Sequence, residues 1–147
     1  LVVLGARRTK ALRYAEKIQC CNYTVDFRKN WTEQAKALAS SGYDIIIDGT
    51  GSGEIMLQTG ELLSDKGKLY PYATSHDKAK VVETLGEDKI GSGNPTEYAA
   101  NDFLANAVDA GWICLKNYYS HVMPLSEIAA GFELIQSRKA LKVVFEC

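Results

Sequence analysis

The sequence predicts an α/β fold, a doubly wound parallel sheet with helices on both faces. Three observations carry this. Short apolar runs alternate with segments whose apolar residues recur at helical spacing. The joins between them are of crossover length, as parallel strands require. The run Tyr43-Asp-Ile-Ile-Ile-Asp48 is continuously apolar at its centre, which fits a strand covered on both faces.

Each element has its own justification. Leu1-Val-Val-Leu4 reads as a short strand, and residues 10–18 place Ala11, Leu12, Ala15 and Ile18 on one helical face behind Thr9 as a cap. Residues 23–27 read as the next strand. Asn30-Trp-Thr-Glu33 has capping-box character ahead of Ala35, Leu38 and Ala39, with Gly42 ending that helix. After the strand at 43–48, a helix from 54 to 63 is predicted to stop before Asp65-Lys-Gly67. Residues 68–74 and a short segment around 89–91 are further candidate strands, and Pro71 weakens the first as a central one. Residues 96–110 read as helical, and Leu125, Ile128, Phe132 and Ile135 recur on one helical face, which predicts a helix packed on a core.

Composition narrows the function classes. The chain has 147 residues, enough for one domain with a core, and a formal net charge of −1. No Lys/Arg stripe interleaves with aromatics, so nucleic acid is not an expected partner. No apolar run approaches a membrane span and nothing resembles a signal peptide, so a soluble cytoplasmic protein is expected. The first residue is Leu1 and the methionines are Met56 and Met123, so a fragment or processed product is expected. Cys20 and Cys21 are adjacent, Cys114 is isolated and Cys147 is last. That spacing matches no metal motif, and His76 and His121 are equally unclustered, so no metal ligand is assigned.

In an open parallel sheet the ligand lies beyond the carboxyl ends of the strands, so candidate contacts fall at residues 5–10, 49–53, 73–76 and 91–94. Gly49-Thr-Gly51-Ser-Gly53 sits between strand and helix as a phosphate cradle should, but Glu54 occupies the place of the last glycine of Gly-x-Gly-x-x-Gly. Relative to Asp48 its glycines also miss the methyltransferase register by one residue. The alternative is that they only give clearance at a sharp turn.

The stretch His121-Val-Met-Pro-Leu-Ser-Glu-Ile-Ala-Ala-Gly-Phe-Glu-Leu-Ile, followed by a basic turn and Lys142-Val-Val-Phe145, resembles the end of the zinc-type, medium-chain alcohol dehydrogenases. Leu1-Val-Val-Leu-Gly-Ala-Arg-Arg resembles the second strand of that family's coenzyme domain, Cys21 to Lys29 its third, and Tyr43 to Gly49 its fourth. The resemblance implies a partial Rossmann-type sheet lacking its first strand over residues 1–94. A helix-strand segment returning to the catalytic domain would follow over 95–147.

It also implies a cofactor. At the end of the second strand an acid would bind the ribose of NAD, whereas Gly5-Ala6 followed by Arg7 and Arg8 makes room for the 2′-phosphate of NADP. NADP is therefore favoured, with NAD as the other option. The expected cofactor contacts are Gly5, Arg7, Arg8, Lys10, Gly49, Thr50, Ala73, Thr74, Gly91 and Ser92. Lys142 is carried over from the family's basic residue near the pyrophosphate, while His121 reads as structural. The alternative for the arginines is a solvated basic helix start. The family's zinc ligands and proton relay lie upstream of the coenzyme domain, so no catalytic residue is assigned, zinc is expected only in that missing part, and the fragment is expected to be inactive. The implied partner is a small alcohol or carbonyl substrate, in an oligomer of identical chains. Two alternatives stand: a zinc-free NADPH-dependent quinone or enoyl reductase of the same superfamily, and a non-catalytic module that pairs with another chain through exposed strand edges.

Overall fold

The computed structural model describes residues 1–91 and 97–147. The chain divides into two compact units, Leu1–Gly93 and Asn94–Cys147. The first alternates strand and helix: β1 (Val3–Ala6), α1 (Thr9–Lys17), β2 (Tyr23–Asp26), α2 (Trp31–Leu38), β3 (Tyr43–Asp48), α3 (Gly53–Gly60), β4 (Leu63–Pro71) and α4 (Lys78–Leu85). The α/β class and the parallel strands are as predicted. The sheet is in two pieces: β1 pairs with β2 and β3 with β4, both in parallel, and no ladder joins β1 to β3.

Several boundaries move for physical reasons. The first strand lies two residues later than expected, at Val3–Ala6, where its register matches Tyr23–Asp26. Leu1 and Val2 stay exposed. Thr9 is the first helical residue rather than the cap, and its hydroxyl accepts from the Arg28 guanidinium at 2.6 Å. Asn30 caps no backbone group with its side chain. Its amide bonds instead to the Glu33 carboxylate, so the capping box closes on itself. α2 ends at Leu38, and Gly42 serves the turn into β3. There φ is +84°, and a Cβ would lie 2.5 Å from the Ser64 nitrogen. α3 stops at Gly60, three residues early, because Leu62 and Leu63 are drawn into pairing with Tyr43: the Tyr43 N–H donates to the Leu62 carbonyl at 2.8 Å. Residues 64–67 then bulge out of β4, and the ladder resumes at Ile45 opposite Lys68. Pro71 closes the strand, where its missing N–H costs least. The candidate strand at 89–91 reduces to one bridge, Leu69 to Ile90, after a short 3₁₀ turn at Glu87–Lys89.

Two clusters form the core of this unit. Val25, Trp31, Ala35, Ile55 and Leu62 are buried together, with Val3, Phe27, Leu38, Tyr43 and Ile46 packed against them. The Phe27 and Trp31 rings meet at 4.6 Å. Met56, Leu69 and Val81 form the second cluster. Ile46 packs on both, but β3 is not covered on both faces as predicted: Ile45 is 63% and Ile47 69% exposed. Their apolar character expresses a need for cover that the described residues do not meet.

At the end of β2 the Arg28 guanidinium reaches both Asp26 oxygens, at 2.9 and 2.5 Å, and holds that carboxyl far below its ordinary value of 3.8. The pair's contribution to stability is therefore full above the ordinary carboxylate value and fades as pH falls toward the depressed one. Urea midpoints measured from about pH 6 to pH 2 should fall below about pH 4, and Asp26→Asn should flatten that limb. An unchanged limb in the variant would assign the acid sensitivity elsewhere.

The second unit holds α5 (Glu97–Asp109), β5 (His121–Pro124), α6 (Ile128–Gln136) and β6 (Val143–Glu146). β5 and β6 pair in parallel, and Gly131 lets α6 approach them: a Cβ there would lie 2.4 Å from the Phe145 ring. Arg138, at φ +57°, makes the expected basic turn into β6. The predicted packing of Leu125, Ile128, Phe132 and Ile135 on a core is not what the structure shows, since all four are exposed. The contact face of α6 in this unit runs through Gly131.

Candidate functional site

The turn leaving β3 is organised by Asp48, which is 4% exposed. Its carboxylate accepts from the Thr50 N–H at 3.1 Å, the Thr50 hydroxyl at 2.6 Å and the Gly51 N–H at 2.9 Å. Its carbonyl accepts from the N–H groups of Tyr72 and Ala73, tying the ends of β3 and β4 together. Thr50 Oγ1 accepts from the Ser52 N–H, and Ser52 caps α3 by accepting from the Ile55 N–H at 3.4 Å. The two glycines differ in purpose. Gly51 has φ +70°, and a Cβ would lie 2.6 Å from the Thr74 carbonyl oxygen, so the turn itself requires it. At Gly49 a Cβ would meet nothing within 4 Å, which leaves open space beside the backbone for a ligand.

Gly5 lies in β1 with its α-carbon against Phe27, where a Cβ would be 2.2 Å from the ring. Arg7 and Arg8 follow. The Arg8 carbonyl accepts the first bonds of α1, from Ala11 and Leu12. Neither guanidinium has a carboxylate partner among the described residues, whereas Arg28 is paired with Asp26. Between the two strand ends lies a cavity of about 690 Å³ whose lining includes Gly5, Arg7, Arg8, Gly49 and Thr50. Trp31, Tyr43 and Ile55 also line it. Burial pushes the Tyr43 hydroxyl up from its ordinary value, so it stays protonated and donates to the Ala35 carbonyl at 2.9 Å.

The other expected contacts are placed differently. Lys10 is exposed on α1 and does not line the cavity. Ala73 and Thr74 follow β4 and lie against Gly51. Gly91 packs on the Tyr70 ring and donates to the Leu69 carbonyl at 2.7 Å. Ser92 lies outside the described residues. Lys142 belongs to the second unit, where its carbonyl accepts from the Ser120 N–H and hydroxyl. His121 opens β5 with Nδ1 2.8 Å from the Ser120 hydroxyl. Sequence reasoning listed the glycines but missed Asp48 as their anchor. An acid ending an apolar run before Gly-Thr-Gly was the available signal.

Two guanidiniums without a carboxylate partner among the described residues thus share one cavity with a backbone turn that has clearance at Gly49, a combination able to hold an anionic group. Among the described residues no three His, Cys, Asp or Glu side chains come together as a metal site, and all four cysteines are free thiols. Burial, together with neighbouring Cys20, pushes the Cys21 thiol up. No helix among the described residues is long and apolar enough to cross a membrane.

No protein-family model and no curated protein matches the sequence. Solved structures do. An alcohol dehydrogenase from Thermotoga maritima is 26% identical, with a TM-score of 0.71 over 96% of this chain and 41% of its own. Zinc-dependent alcohol dehydrogenase 2 from Streptococcus pneumonia gives a TM-score of 0.77 at 14% identity, over 99% of this chain and 44% of its own. An alcohol dehydrogenase from Escherichia coli solved with NADH gives 0.69 at 12% identity, over 91% and 40%. The chain therefore spans about two fifths of the length of the structures it matches. In fold, this chain is the counterpart of that share of these alcohol dehydrogenases, their Rossmann-type part included.

Proposed function

We propose that the chain is the cofactor-binding portion of an NADP-dependent alcohol or polyol dehydrogenase of the zinc type, acting on a small alcohol or carbonyl substrate. One observation carries the reading: Arg7 and Arg8, without carboxylate partners among the described residues, share a cavity with the open turn at Gly49 and Thr50. The arginines would pair with the 2′-phosphate, Gly49 and Thr50 would lie along the pyrophosphate, and Ala73 and Thr74 would brace that turn from β4. Gly91, Ser92, Lys10 and Lys142 complete the proposed contacts. Hydride transfer is the chemistry the nicotinamide supplies when bound. The residues of this chain bind and orient it, and zinc and proton relay would come from polypeptide outside residues 1–147, so the isolated chain is inactive. We place the protein in the cytoplasm as an oligomer of identical chains.

Titration calorimetry with NADP and NAD tests this. Arg7→Ala with Arg8→Ala should weaken NADP about ten- to a hundredfold, the worth of one charge-assisted hydrogen bond, and leave NAD unchanged. Equal wild-type affinity for the two dinucleotides, or unchanged NADP affinity in the double variant, would overturn the choice of NADP.

A further inference from the structure

Cys20 and Cys21 lie in the turn between α1 and β2, outside the cavity that holds Arg7 and Arg8. Both are free thiols, Cys20 exposed and Cys21 half-buried. The segment that carries them is held on both sides. Gln19, at φ +54°, turns the chain out of α1, and the Cys20 N–H donates to the Ala15 carbonyl at 3.2 Å. One residue past the pair, the Asn22 N–H donates to the Val2 carbonyl at 2.8 Å, and the Asn22 side-chain oxygen accepts from the Val2 N–H at 2.7 Å. The Cys21 sulfur accepts from the Leu4 N–H of β1 and is hydrogen-bonded to the Cys20 thiol.

Adjacency decides the chemistry of such a pair. A mixed disulfide formed on either sulfur stands beside a second thiol that can displace it. Neighbouring α-carbons are about 3.8 Å apart across a trans peptide, less than the about 4.4–6.8 Å that a relaxed disulfide spans. The bond between them is therefore strained and readily reduced, which is the character of a labile disulfide and not of a structural one. Exposure sets the order of events. Cys20 is open to solvent, whereas burial, the neighbouring Cys20 and the Glu16 carboxylate push the Cys21 thiol up, so it is protonated at neutral pH. Cys20 attacks first and Cys21 resolves.

We propose that Cys20 and Cys21 are a reversible dithiol site, which a low-molecular-weight disulfide oxidises to a disulfide between the two neighbours. In the first step the Cys20 thiolate attacks one sulfur of the small disulfide, forms a mixed disulfide and expels one small thiolate. In the second, Cys21 gives its proton to solvent and its sulfur attacks that of Cys20, closing the ring and expelling the other small thiolate. The two protein thiols have then lost two electrons and two protons, and the oxidant has become two thiols. Excess dithiol reductant reverses both steps. Cys114 and Cys147 have no cysteine beside them in sequence, so adjacency opens the second step to Cys20 and Cys21 alone. The pair lies beside the start of β1, whereas Arg7 and Arg8 follow its end, and the inference does not depend on what binds at the arginines.

The test treats the folded chain with glutathione disulfide at neutral pH, blocks the remaining thiols with N-ethylmaleimide and digests with trypsin. Cleavage after Lys17 and Arg28 releases residues 18–28, which hold Cys20, Cys21 and no other cysteine. That peptide should be unlabelled and lighter than its reduced form by two hydrogens, and dithiothreitol given before the block should restore both labels. Cys21→Ser, in a turn outside both core clusters, should instead retain one glutathione on Cys20. Cys20→Ser should gain its adduct on Cys21 about tenfold more slowly. The parent peptide decides the matter even if a variant fails to fold. A glutathione adduct that persists on the parent peptide, a cross-link from it to Cys114 or Cys147, or full labelling after treatment would each overturn the proposal. Equal rates of adduct formation in the two variants would overturn the order of attack. Loss of NADP binding in Arg7→Ala with Arg8→Ala bears on the cofactor alone and leaves these outcomes untouched.

Discussion

Leu69→Ala is expected to destabilise the protein by about 3–5 kcal/mol, the largest effect of any single apolar truncation in the first unit. Leu69 is fully buried and sits where three elements meet. Its backbone pairs with Ile46 in β3 and bridges to Ile90, and its side chain packs with Met56 of α3 and Val81 of α4. Truncation removes the transfer free energy of three carbons and leaves a cavity that two helices and a strand cannot easily close. The matched control is Ile47→Ala in the neighbouring strand. That side chain is 69% exposed, so its loss should fall within about 0.5 kcal/mol. Urea unfolding of both variants decides the point. Comparable losses in the two would mean that the Met56, Leu69 and Val81 cluster is not the core it forms here.

The same contrast explains what was legible in the sequence. Tyr43–Asp48 could be placed to the residue because a β-branched apolar run before Asp-Gly has one economical reading. That Ile45 and Ile47 would stand exposed could not be read, because hydrophobicity records a preference for burial and not the identity of the covering element. The helical face at Leu125, Ile128, Phe132 and Ile135 misled in the same way. Leu62 and Leu63 were read into a helix by local periodicity, and the decision fell to a distant partner, Tyr43. At the site, the rule that ligands lie beyond strand ends was enough to select Arg7, Arg8, Gly49 and Thr50, which line one cavity. Lys10, exposed on α1, does not line that cavity, because adjacency in sequence does not fix direction on a helix. Asp48 was passed over as a charged end to an apolar run, although its side chain holds the turn that presents the two glycines.

Asp48→Ala should therefore damage both stability and binding. The carboxylate accepts three hydrogen bonds, two from backbone N–H groups, in a place where only 4% of the residue is exposed. Charge-assisted bonds of this kind are worth about 1.5–3 kcal/mol each, and they do not add fully because Thr50 is exposed and its donors can recover water. A net loss of about 2–4 kcal/mol is expected. Asp48→Asn retains an acceptor and the side-chain volume, so it should lose less than half as much. The turn carries Gly49 and Thr50, so NADP affinity should fall in Asp48→Ala even at temperatures where the protein remains folded, with NAD falling in parallel because both share the pyrophosphate. That parallel loss separates a turn defect from the Arg7 and Arg8 variants, which should affect NADP alone. If Asp48→Ala unfolds within 1 kcal/mol of the parent and binds both dinucleotides normally, the turn is held by its glycines and the carboxylate is incidental.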